Sequence, residues 1–117
     1  VVNDPVTLNP DDPVEAVFID CVLIYRERSL KYTAERWDDN FQFIARQMRA
    51  NGHPDFTAAD AATVLMAVKE ARQDAASRSG RLEFTDDSFR DSDIDNINYR
   101  AIRRALRDQE GSDGGDE

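Results

Sequence analysis

An all-α fold is predicted by three features of the chain. Apolar residues recur every three or four positions in four separate stretches, each stretch opens on a residue able to cap a helix, and glycine follows the middle two. Four helices joined by short or medium connections imply a compact four-helix bundle or an irregular helical array.

The first helix is expected to begin at Asp12-Pro13-Val14-Glu15. Asp12 can cap, Pro13 suits the first helical position, and Glu15 can reach back to the cap amide. Val14, Val17, Phe18, Cys21, Val22, Leu23, Ile24 and Tyr25 then give a broad apolar surface, as in a helix near the centre of a bundle or at a subunit interface. Arg26-Glu27-Arg28 is its polar end, leading toward Lys31-Tyr32.

Thr33, or one of Asp38, Asp39 and Asn40, starts the second helix. Trp37, Phe41, Ile44, Ala45 and Met48 form one stripe, and Asn51-Gly52 closes it. The third start is the clearest, because Thr57-Ala58-Ala59-Asp60 can form a capping box with Asp in the usual Glu position. Ala61, Val64, Leu65, Val68, Ala71, Arg72 and Ala75 trace the expected inward side, and Gly80 is the stop. Residues 81–90 lack a helical period and read as a structured loop. The last helix is expected from Ser92 to Asp108, with Ile94, Ile97, Ala101, Ile102, Ala105 and Leu106 facing the core.

A length of 117 residues suits one domain, here 12–108, with a flexible leader at 1–11 and a disordered acidic tail at 109–117. No run approaches the roughly 18–20 consecutive apolar residues that cross a bilayer, and Val1–Pro5 lacks the flanks of an export signal. Cys21 is the only cysteine, which excludes an intrachain disulfide. A cytoplasmic setting without a membrane partner is the expectation, within the host cell if the protein is viral.

The formal net charge is -9, which opposes general binding to nucleic acid. Arg100, Arg103, Arg104 and Arg107 can line part of one helix, as partners for aspartates or as contacts to nucleic acid, an acidic protein or nucleotide phosphates. Asp outnumbers Glu 17 to 7 and Arg outnumbers Lys 13 to 2, a balance similar to that of halophilic proteins, although a GC-rich genome favours the same Arg excess. In that setting salt would screen surface ion pairs.

Asp86, Asp87, Asp91, Asp93 and Asp95 cluster ahead of Asn98 and Tyr99. On a helix Asp91, Asp95 and Asn98 fall on nearly one side, an arrangement of hard oxygen ligands suited to Mg2+ or Mn2+. The alternative is that these acids only cap and solvate a helix start. Lys69 and Arg72, three residues apart, can hold phosphates or pair with Asp91 and Asp95 across a helix interface. His53 reads as a turn residue, Cys21 as a core thiol, and Tyr25, Tyr32, Trp37 and Tyr99 as packing groups.

The order of these landmarks resembles a family of small phage and prophage helical proteins distantly similar to MazG-like nucleotide pyrophosphohydrolases. The matching pieces are Arg28 with Lys31-Tyr32, Asn40-Phe41 with Ile44-Ala45, Asp60-Ala61, Met66, Lys69, Ala71-Arg72, and Asp91-Ser92 with Asp95 and Tyr99. The resemblance implies an all-helical core assembled as a homodimer or tetramer, with acids holding Mg2+ (or Mn2+) against a nucleoside triphosphate while water attacks to release pyrophosphate. Carried onto this chain, the resemblance makes Asp91 and Asp95 the metal ligands; beside them, Lys69 and Arg72 are the candidate phosphate contacts and Asn98 and Tyr99 supporting groups. The family's Glu-Glu-x-x-Glu run is replaced by Lys69-Glu70-x-x-Gln73-Asp74, so Glu70 and Asp74 stand in for the catalytic acids. Two functions follow: a nucleoside triphosphate pyrophosphohydrolase or nucleotide-binding protein, or a noncatalytic viral or prophage accessory and interaction protein.

Overall fold

The computed structural model describes residues 6–32, 35–79 and 86–114, with side chains over 6–31, 35–78 and 90–111. The described residues form four helices: α1 (Pro13–Tyr32), α2 (Asp39–Ala50), α3 (Ala58–Ser79) and α4 (Asp86–Gly114). The Gly80 stop, the alternative Thr33 start, Tyr32 packing and the acid side chains of Asp86 and Asp87 lie outside the described residues.

Local chemistry accounts for the helix starts. Asp12 Oδ1 accepts the amides of Val14 (2.9 Å) and Glu15 (3.0 Å), the expected cap of α1. Glu15 does not return to the Asp12 amide; its Oε1 instead accepts the Asn9 amide at 3.3 Å, outside the cap. At α3 the box closes as expected, Asp60 N donating to Thr57 Oγ1 (3.1 Å) and Thr57 N to Asp60 Oδ2 (3.0 Å). At α2 the cap position falls to Asp38, whose side chain does not cap. Asp38 is instead buried, Oδ2 accepting from Gln42 Nε2 (3.2 Å) and Gln109 Nε2 (3.1 Å), with Arg36 Nε 3.3 Å from Oδ1. Gly52 follows α2 with φ +98°, the left-handed conformation that suits glycine after a helix.

Helix α4 differs most from the sequence expectation. It begins at Asp86, inside the segment read as a loop, and runs to Gly114 rather than ending at Asp108. Polar contacts explain the extra length at the far end. Gln109 donates to Asp38, and Glu110 Oε1 accepts the Ala59 amide at 3.1 Å, adding a carboxylate at the start of α3.

The core lies where α2 and α4 meet α3. Phe41, Ala45, Ala58, Ala59, Ala61, Ala62 and Leu106 form one buried cluster, and the alanines permit close backbone approach. The buried face of α3 is rotated from the expected one: Ala58, Ala59, Ala61, Ala62 and Met66 are buried, whereas Val64, Val68, Ala71, Arg72 and Ala75 are exposed. On α4, Ile94 and Leu106 are fully buried while Ala101 and Ala105 are exposed.

Helix α1 is not central. It packs mainly on α4 and, among its described side chains, buries only Cys21, leaving Val14, Phe18, Val22, Leu23 and Leu30 exposed. The array is correspondingly flat, 48 × 45 × 23 Å, and its radius of gyration of 16.9 Å exceeds the roughly 13 Å of a compact chain near this length. It is therefore closer to an irregular array than to a compact bundle. No helix among the described residues is long and apolar enough to cross a membrane.

Candidate functional site

Helix α1 packs on α4, α4 on α3 and α3 on α2, and a cleft of about 500 Å³ lined by residues of all four helices opens among them. Asp95 lies at its base with a nearly buried side chain. Lys69 of α3 reaches across, Nζ lying 2.7 Å from Asp95 Oδ2. From α1, Arg28 Nη1 donates to Asp95 Oδ1. A buried carboxylate without partners would be strongly disfavoured, and two charge-assisted hydrogen bonds remove that penalty. The triad carries one net positive charge, and its cations remain partly open to solvent, Arg28 at 47% and Lys69 at 31% of the side chain.

Aromatic side chains build the walls. Tyr25, Trp37, Phe41 and Tyr99 line the cleft, together with the amides of Asn40 and Asn98. Tyr99 meets Phe41 edge to face, with centroids 6.5 Å apart at 82°, and Lys69 Nζ lies 5.9 Å from the Tyr99 ring centre. Asn98 Nδ2 donates to the Cys21 carbonyl at 3.0 Å and so fastens α4 to α1 beside the site. Burial raises the Cys21 thiol pKa, and the neighbouring Asp20 charge adds to the effect. Arg90 donates to Asp20, a third bond between the same two helices after Arg28–Asp95 and Asn98–Cys21. An adjoining, mostly apolar groove of about 370 Å³ runs along Val22, Tyr25, Trp37, Ala101, Ile102 and Ala105.

Of the eight residues singled out from sequence, Lys69, Asp95, Asn98 and Tyr99 line this cleft. The pairing of Lys69 with Asp95 across a helix interface is the one anticipated. Asp91 is exposed outside the lining, so Asp91 and Asp95 do not share one point. Glu70 and Arg72 are exposed, and Asp74 pairs with Arg78 on its own helix. Among the described residues no three His, Cys, Asp or Glu side chains gather to hold a metal, and both Asp95 oxygens already accept from cations. The donor set therefore does not by itself fit a Mg2+ or Mn2+ centre.

The arginine set on α4 is divided. Arg104 pairs with Asp108 on the same helix, while Arg103 Nη1 donates to Thr63 Oγ1 at 3.3 Å. Sequence reasoning gave Arg28 no chemical role. A signal was present, because Arg28 continues the inward register of Val17, Cys21 and Ile24, where a cation needs a buried partner.

No family model matches the chain, and searches of curated proteins and of solved structures likewise find no match.

Proposed function

We propose that this chain is a MazG-like nucleotide-binding domain, with Arg28 and Lys69 receiving the phosphates and the aromatic walls receiving the base. One observation carries the reading: two cations from different helices share a single buried carboxylate in a cleft lined by four aromatic rings. Asp95 orients both cations yet engages only part of their hydrogen-bonding capacity, since a guanidinium has five N–H donors and an ammonium three. The remaining donors can meet phosphate oxygens, while a flat base stacks on Trp37 or Tyr25.

Binding is better supported than turnover. Glu70 and Asp74, the stand-ins for catalytic acids, are exposed and outside the cleft lining. Mg2+ would enter as the counter-ion of the triphosphate, lowering its charge as it approaches an acidic protein.

Calorimetric titration with a panel of nucleoside triphosphates, with and without Mg2+ and at high and low salt, tests this reading alongside a pyrophosphate-release assay. Binding without product is expected. Arg28→Ala and Lys69→Ala should each weaken it about tenfold to a hundredfold, the value of a charge-assisted hydrogen bond. No heat under any condition would remove the proposal, and pyrophosphate release would replace binding with catalysis.

The exposed apolar residues of α1 favour a second reading, an interaction protein. That surface is separate from the triad.

A further inference from the structure

The charged cleft and the apolar groove are one trench. Tyr25, Trp37, Asn98 and Ile102 line both, so the first runs without a break into the second. Along α4 the trench extends from Asp95 to Ala105, about 15 Å of helix. Its two ends differ in chemistry. At the first, Arg28 and Lys69 hold Asp95 and leave one net positive charge. At the other, Val22, Ala101 and Ala105 are exposed, and among the described residues no charged side chain lines the groove. Alanine ends at its Cβ, so the floor between α1 and Trp37 stays low enough for a slender chain to lie along α4. Both volumes, about 500 and 370 Å³, are those of small-molecule sites.

We infer that the trench binds an unbranched fatty-acid anion of medium length, its carboxylate on Arg28 and Lys69 and its tail passing Tyr25 and Trp37 into the apolar groove. Charge complementarity selects the head. One carboxylate cancels the single positive charge of the triad, and its two oxygens accept from the donors that Asp95 does not engage. An alkylammonium head would instead meet two cations. The groove selects the tail, because a polar or charged tail would lose its water there for few hydrogen bonds in return. This ligand shares the cation pair with the nucleotide reading but needs neither base stacking nor a polyphosphate, and it alone uses the apolar groove.

Trp37 is the only tryptophan and lines both cavities, so its fluorescence reports occupancy of either end. The test is a titration of the full chain with butanoate, hexanoate, octanoate and decanoate below their micelle concentrations, at a salt concentration where circular dichroism shows the helices intact. Affinity should rise about twofold to fourfold per methylene, the upper figure corresponding to complete burial. Octylammonium should bind at least about tenfold more weakly than octanoate, although the net charge of -9 favours a cation over the rest of the surface. Arg28→Ala should weaken octanoate about tenfold. Ala105→Glu, at an exposed position, should weaken decanoate about tenfold by placing a charge under the tail. The same change should leave butanoate unaffected, since about 15 Å of helix separates residue 105 from Asp95, more than a screening length. An affinity independent of chain length, or octylammonium binding as well as octanoate, would overturn the inference. Decanoate binding untouched by Ala105→Glu would overturn it equally. Nucleoside triphosphates carry no tail and fatty acids no base, so either reading can fail without the other.

Discussion

Lys69 Nζ lies 2.7 Å from Asp95 Oδ2 while Arg28 binds the other oxygen, so a single buried carboxylate joins α1, α3 and α4. Removing it breaks two charge-assisted bonds at once. Asp95→Ala is expected to lower unfolding stability by about 1.5–3 kcal/mol, moderated by the solvent access of both cations. Urea midpoints at fixed salt measure it; a loss below about 0.5 kcal/mol, the size of an ordinary surface substitution, would mean the triad has no structural role.

The rotated face of α3 gives a paired test. Met66 is 5% exposed and Val64 49%, although the sequence pattern favoured Val64 as inward. Met66→Ala should cost about 2–5 kcal/mol and Val64→Ala under about 1 kcal/mol. Reversal of that order in denaturant melts would contradict the assigned face.

Two groups act at the start of α3, the Thr57/Asp60 box and Glu110 arriving from α4. Thr57→Ala and Glu110→Ala should each destabilise by about 1 kcal/mol. Thermal unfolding of both variants would show this, and an unchanged Glu110→Ala melt would argue that the contact contributes nothing in solution.

Asp39 supplies the pH dependence. The amides of Arg36 and Glu35 donate to its carboxylate and lower its pKa below the ordinary value. The depressed native pKa makes the stabilisation full above the unfolded value of about 4, and it is lost as pH falls through the lower native value. Asp39→Asn should therefore flatten the acid limb of the stability profile while leaving its slope near neutrality unchanged. An identical acid limb in the variant would refute the assignment.

Burial raises the Cys21 thiol pKa and shields it between α1 and α4. Maleimide labelling at neutral pH should be at least about a hundredfold slower in the native chain than in urea. Comparable rates in the two states would show that α1 detaches readily from α4.

What was legible in the sequence was local. The Asp12 cap and the Thr57/Asp60 box involve groups within a few residues of each other, and both were anticipated. Long-range geometry was not readable in the same way. The face that α3 buries depends on where α4 lies, and periodicity alone cannot choose between Val64 and Met66 when alanines surround both. The extra turns of α4 are polar and carry no apolar period; their contacts are to Asp38 and Ala59, far away in sequence.

The site divides in the same manner. The Lys69–Asp95 pairing was among the expected ones because both residues sit beside apolar neighbours on their helices. Asp91 and Asp95 are one helical turn apart in the sequence pattern, but near the start of α4 Asp91 is exposed to solvent while Asp95 is buried. Arg28 lay at the polar end of α1, where a solvated charge is the ordinary interpretation, and only the path of α4 gives it a buried partner.

The attachments made by α4 bear on the order in which the chain acquires its shape during synthesis. Of these four helices α4 emerges last from the ribosome, yet it supplies Arg90, Asp95 and Asn98 to α1, Glu110 to α3, and Gln109 to the residue preceding α2. Nascent α1 must therefore wait, its oily side uncovered, until roughly sixty later residues have been polymerised. Closure of the domain is consequently a late event, coupled to completion of α4 rather than to the gradual appearance of the helices before it.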